Sequence, residues 1–231
     1  MRAVVVTSWD RPPSIQEAPD TQVLPGEVLV RVGAAAVGHL DLDVAGGAFP
    51  VLPQLPFIPG VEAAGIVVQA PANSTVAPGD EVLVRGAGLG VMRNGSWAEL
   101  VSAPQAAVEP VPAGLELALA ACFFVPTTTA AIALQQVGAT AGTRVLVTGA
   151  RGAVGSIAVQ LAARLGCEVF ASTRAPEGYR LTTEPRSGGS VRAVLAGQEA
   201  QQGVGDIDCI VDTIGGPNTV ERLSLVRPGG C

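Results

Sequence analysis

The chain has no lysine: all 14 of its basic residues are arginines. Schiff-base chemistry and every other lysine-based mechanism are therefore excluded. It has one histidine, His39, and four cysteines, Cys122, Cys167, Cys209 and Cys231, without the spacing of a metal knuckle or a disulfide framework. Aromatic residues make up only 3%, so the core must be built from Val, Leu, Ala and Ile. A net charge of −6 argues against a nucleic-acid surface or a polybasic membrane patch. Long apolar runs are missing as well. The opening MRAVVVTSWD lacks the apolar core and small-residue cleavage site of a signal peptide. The most apolar window, 115–134, contains Glu116, Pro126 and three threonines, and reads as a buried helix pair rather than a membrane span. Scattered thiols without a leader point to a reducing cytoplasm.

What is present is turn-rich: 29 glycines and 18 prolines in 231 residues, with 48% hydrophobic side chains. The first half reads as short strands, RAVVVT, EVLVRVGAAAV, VEAAGIVVQA, DEVLVRG and WAELVSA, separated by LPG, IPG and APGD turns. That pattern predicts an all-β unit of small-barrel type. After Pro112 the texture becomes helical, with Pro126 opening a second helix. From Arg144 onward strand, helix and strand alternate as in a doubly wound parallel sheet: VLVTG, SIAVQLAARLG, CEVFAST and, later, DIDCIVDTIG. EPRSGGS at 184–190 reads as a flexible loop.

VLVTGARGAVGS at 145–156 places Ala150, Gly152 and Gly155 in the spacing of a dinucleotide fingerprint, with alanine in the first place. Such a turn brings backbone close to a pyrophosphate, and Ala153 and Val154 open a helix whose free amides favour an anion. The second strand ends Ser172-Thr173-Arg174. Two hydroxyls and an arginine there, with no acidic residue for a ribose diol, favour NADP(H) over NAD(H). A short-chain dehydrogenase turn is excluded by Ala153, where glycine is required, and by the impossibility of a Tyr-x-x-x-Lys pair.

The order of motifs resembles the medium-chain dehydrogenase/reductase superfamily, in particular its zinc-independent quinone oxidoreductases and polyketide enoyl reductases. The residues that carry the likeness are LPGEVLVRVGAAAVGHLDLDVAGG (24–47), LPFIPGVEAAGIVV (55–68), PGDEVLV (78–84), GSWAELVSAP (95–104), VPTTTAAIAL (125–134), 145–172 and DCIVDTIGG (208–216). The resemblance implies a GroES-like β-barrel domain over 1–118 and a Rossmann NADP-binding domain over 119–231. Gly38 and Val61 stand where zinc-dependent members carry ligands, so no metal is expected. Asp41 and Glu62 match positions shared across the superfamily, and Thr129 matches a threonine near the nicotinamide. Gly38 and Asp43 depart from the Asn and Tyr that quinone reductases carry there. His39, Asp43 and Glu62 are the catalytic candidates; His39 and Asp43 either form an acid–base pair or are solvated.

The Rossmann part is expected to be incomplete. The stretch from Thr173 to Ala196 shows no clear counterpart to the third strand, and RPGGC stops before a fifth and sixth. A self-associating copy or a partner covering the exposed fourth strand is therefore expected. Two functions stay open. One is an NADPH-dependent reductase of a quinone, an enone or a polyketide-type substrate. The other is a non-redox descendant, a cyclase, isomerase, lyase or binding protein, in which NADP(H) is vestigial.

Overall fold

The computed structural model describes residues 1–182, 185 and 188–231. The chain forms two compact units, Met1–Val125 and Pro126–Cys231. Their boundary falls at 125/126 rather than at 118/119. The short helix after Pro112 sends Ala120 and Ala121 into a cluster with Ala64 and Leu83, which ties it to the first unit.

The first unit begins with the antiparallel pair β1 (Arg2–Val5) and β2 (Ser14–Glu17). β3 (Glu27–Ala35) leads through the helix α1 (His39–Ala45) to β4 (Glu62–Gln69), β5 (Glu81–Arg85), β6 (Leu100–Pro104) and β7 (Val108–Pro110). These five strands form one antiparallel sheet in the order β6-β3-β4-β5-β7. Period-two alternation buries Val28, Val30, Val82 and Val84 completely, while Arg31 and Glu81 face out. Register shifts in β3 at Leu29/Val30 and Val32/Ala34 bend the sheet into a curled half-barrel. Gly65 permits that close approach: a Cβ there would lie 2.1 Å from the Arg31 carbonyl oxygen. The helix pair expected at 115–134 is α2 (Leu117–Ala120) and α3 (Phe124–Gln136), with Pro126 in the first turn of α3, where its missing N–H costs nothing.

The second unit is a parallel sheet of β8 (Arg144–Val147), β9 (Glu168–Thr173), β10 (Ser190–Leu195) and β11 (Cys209–Val211), in the order β10-β9-β8-β11. α4 (Ala153–Leu165) joins β8 to β9, and α5 (Thr219–Leu223) follows β11. Continuous apolar runs in β8 and β9 fit burial on both faces. One face packs Val145, Val147, Val169 and Ala171 against α3 and α4; the other packs Leu146 and Phe170 with Val194, Val204 and Ile207.

A third Rossmann-type strand, for which the sequence showed no clear counterpart, is present as β10. It pairs with β9 from Ser190↔Glu168 to Leu195↔Thr173. As an outer strand it is only half-buried, so it lacks the apolar run that marks β8 and β9. Residues 184, 186 and 187 of the expected loop lie outside the described residues, and Ser190 at its end already belongs to β10. The outer side of β11, expected to be bare, receives Cys231: the Ile210 amide donates to its carbonyl at 2.8 Å. Among the described residues no helix is long and apolar enough to cross a membrane.

Candidate functional site

The glycine turn of the second unit is built by close contact. Gly149 follows the end of β8 with φ +60°, a conformation open to glycine, and a Cβ there would meet Thr213 Oγ1 at 2.5 Å. Gly152 then donates its amide to the Gly149 carbonyl at 2.7 Å and caps α4 without a side chain. Gly155 lets the helix descend onto the strand end, since a Cβ would lie 2.2 Å from the Gly149 oxygen. Ser156 is the first residue of α4 whose amide bonds back, to Gly152. The amides of Ala153, Val154 and Gly155 therefore have no acceptor among the described residues. Gly152 and Ala153 are exposed, Val154 half-buried, and Ala150 and Gly155 buried. An uncapped thirteen-residue helix with exposed glycine at its start suits a phosphate group. The residues present thus fit the pyrophosphate of a dinucleotide.

Side chains that the sequence did not single out hold this turn. Arg151 donates to the carbonyls of Ala175 and Glu177 and lies over the Tyr179 ring, 5.5 Å from its centroid. Tyr179 Oη in turn donates to the Ala150 carbonyl at 3.3 Å. On the other flank Thr148 Oγ1 donates to Asp212 at 2.6 Å, while the Thr213 hydroxyl donates to the Thr148 carbonyl at 2.9 Å. Asp212 also accepts from the amides of Ile214 and Gly215, from Thr219 and from Arg222. Burial works against its charge, but these donors outweigh it and bring its pKa down to about 2. The Asp-Thr-Ile-Gly-Gly run carries the signal for this Asx-type turn.

Arg222 is 5% exposed and lies 3.8 Å from Glu199, which is 4% exposed. Glu199 accepts the Ser172 hydroxyl at 2.6 Å. Ser172 is therefore not offered to a cofactor: it is fully buried, and its hydroxyl is committed to Glu199 beneath the strand end. Thr173 is 5% exposed and accepts from the Ala175 amide. Arg174 is exposed, without a protein partner among the described residues. Thr129 lies on the exposed side of α3.

In the first unit the two shared carboxylates serve the backbone. Asp41, 1% exposed, accepts from the amides of Gly38 at 2.8 Å and Val61 at 2.9 Å, fastening the start of α1 to the start of β4. Glu62, 5% exposed, accepts from the Val125 amide at 2.9 Å and so caps the first turn of α3. Burial pushes both carboxyls above their ordinary range, and the Asp41 charge adds to the effect on Glu62. Ser96 and Trp97 brace the same corner, donating to the carbonyls of Glu62 and Ala36. His39 and Asp43 are both exposed, one turn apart on α1, with no hydrogen bond or ion pair between them. Among the described residues no group of three His, Cys, Asp or Glu side chains is placed to hold a metal ion.

Known proteins place these features in a family. The alcohol dehydrogenase GroES-like domain matches residues 24–113. An alcohol dehydrogenase of Geobacillus stearothermophilus is 31% identical over 207 residues, covering 80% of this chain and 61% of its own. One of Rhizobium meliloti is 31% identical over 258 residues, covering all of this chain and 75% of its own. The crystal structure of the quinone oxidoreductase from Thermus thermophilus, solved also in complex with NADPH, superposes with a TM-score of 0.80 at 31% identity, over 100% of this chain and 72% of that one. Curated relatives of the alcohol dehydrogenase and quinone oxidoreductase kinds are matched over 59% to 75% of their length. With a curled GroES-like sheet, a parallel sheet carrying the glycine turn, and relatives matched along its whole length, the chain belongs to the medium-chain dehydrogenase/reductase superfamily.

Proposed function

We propose that the chain is an NADPH-dependent, zinc-independent reductase of a quinone or a conjugated C=C bond, with polyketide-type enoyl compounds among its substrates. The observation that carries this reading is the uncapped start of α4, where three unanswered amides face a turn that Gly155 holds close to β8. A bound nicotinamide would supply the hydride. The amides of Ala153, Val154 and Gly155 bind the pyrophosphate, and Arg174 at the end of β9 meets the 2′-phosphate. Arg151 and Tyr179 keep the 175–179 loop folded against the turn. Direct transfer without a metal is supported by the poor donor set: one exposed histidine and four free thiols. His39 is the proton donor in this reading, because Glu62 is committed to the cap of α3. The free thiols suit a reducing cytoplasm.

Fluorescence titration with NADPH and NADH, paired with thermal shift, tests it. Saturable NADPH binding, weaker NADH binding and a preference reduced roughly tenfold in Arg174→Ala are expected. Quinones and enones should then consume NADPH in the presence of the protein. Failure of both cofactors to bind at millimolar concentration overturns the proposal and leaves the acid–base alternative around His39 and Asp43.

A further inference from the structure

Two cysteines lie side by side at the beginning of β11, at the opposite end of the parallel strands from the glycine turn. Cys209 opens the strand and is fully buried. The Cys231 amide donates to the Asp208 carbonyl at 2.9 Å, and the Cys231 carbonyl accepts from the Ile210 amide at 2.8 Å. These two bonds bracket Cys209, which is how a parallel ladder sets one residue directly beside another. Neighbouring strands lie about 4.8 Å apart, and directly paired residues project to the same face. That spacing falls inside the roughly 4.4–6.8 Å between Cα atoms that a disulfide requires.

Independent contacts agree on the face. Cys231 Sγ donates to the Val137 carbonyl at 3.7 Å, and Val137 packs against the core cluster that contains Cys209. The segment is held in register below the pair as well, by the parallel bridge Ile207↔Val226 and the Arg227–Asp208 ion pair at 2.5 Å. The third thiol of this region, Cys167, is turned to the Thr140 carbonyl at 3.1 Å.

We infer that Cys209 and Cys231 are a disulfide-forming pair, closed by hydrogen peroxide. The exposed Cys231 thiolate attacks the peroxide, the O–O bond breaks, and Cys231 becomes a sulfenic acid as hydroxide leaves. Cys209 sulfur then attacks the Cys231 sulfur, the S–O bond breaks, and the departing hydroxide takes up the Cys209 proton as water. Two thiols and one peroxide give one disulfide and two waters. Cys209 is the second partner because burial, followed by the charges of Cys231 and Asp208, pushes its thiol up to about 12. Its thiolate is scarce, so the oxidant meets Cys231 first.

Peroxide treatment of the whole chain, alkylation of remaining thiols and tryptic mass spectrometry test the pairing. Cleavage after Arg192 and Arg222 separates the two cysteines. Peptides 193–222 and 223–231 should appear joined and two hydrogens lighter, and dithiothreitol should release them. In Cys231→Ser the link disappears and Cys209 is alkylated after unfolding. In Cys209→Ala, Cys231 should proceed to the sulfinic acid. NADPH titration of the oxidised protein should match that of the reduced protein. Bridging of Cys209 to Cys167, Cys231 dimers between chains, or sulfinic acid at Cys231 in the wild type overturns the inference.

Discussion

Asp212 is partly and Glu62 almost wholly withdrawn from water, and burial pushes each toward its neutral form. They differ in what answers the charge. Asp212 has two hydroxyls, two amides and the Arg222 guanidinium, and its folded pKa falls to about 2. A carboxylate whose pKa is lower when folded adds stability above its unfolded pKa and loses it as pH falls toward the folded value. Asp212→Asn should therefore cost about 1–2 kcal/mol at pH 7, after allowance for solvent screening. Urea unfolding should show that difference shrinking between about pH 4 and pH 2; a difference independent of pH would remove the charge from the explanation. Glu62 has the opposite sign. Its folded pKa is raised, so its contribution is fully present below the unfolded value and declines as pH rises through the folded one. Glu62→Gln keeps a carbonyl for the Val125 amide and should reduce the stability loss above pH 4.5, leaving only the part due to Asp41. Parallel slopes for variant and wild type would contradict this.

The β8–turn–α4 element separates two kinds of glycine. At Gly155 an added methyl collides with the Gly149 carbonyl, backbone against backbone, so α4 must lift from the sheet. Gly155→Ala should destabilise by about 1–3 kcal/mol and weaken NADPH binding with it. Gly152 is exposed with φ −78°, and its Cβ would stand 3.2 Å from the same oxygen. Gly152→Ala should change stability by less than about 1 kcal/mol, while, on the proposed binding mode, NADPH affinity falls by about an order of magnitude because the methyl would crowd the turn proposed to take the pyrophosphate. Chemical denaturation beside cofactor titration distinguishes the two; equal losses of stability would refute the division. This element was legible in the sequence because β8 and β9 are buried on both faces and the fingerprint is local. β10 was not: its burial alternates, and Arg192 covers Phe170, 4.9 Å from the ring centroid, leaving a polar residue where an apolar run would mark a strand. Nor were the partners of the site's carboxylates. Glu62 meets Val125 from 63 positions away, and Asp212 meets Thr148 from 64, distances at which no periodicity operates. Ser172 was placed on the right strand end but given the wrong side of it, because Glu199 is 27 positions away.

At the scale of the whole molecule, each unit holds cores of its own. Met1–Val125 encloses the valine cluster of the curled sheet and the Ala64–Leu83–Ala120 cluster. Pro126–Cys231 encloses one cluster on each face of its parallel sheet. Units with separate cores commonly depart from two-state unfolding. Scanning calorimetry should therefore resolve two transitions. All the residues proposed to bind the pyrophosphate and 2′-phosphate lie in the second unit, from Ala153 to Arg174. A ligand held by one folded unit stabilises that unit by about 2.7 kcal/mol at a hundredfold excess over Kd. NADPH should raise one transition and leave the other in place. Gly155→Ala should lower that same transition, which identifies it as the parallel-sheet unit without reference to the ligand. If NADPH moves both transitions together, or calorimetry gives one transition that it moves as a whole, the first unit shares in cofactor binding or in the cooperative core. The two units must then be treated as a single thermodynamic body.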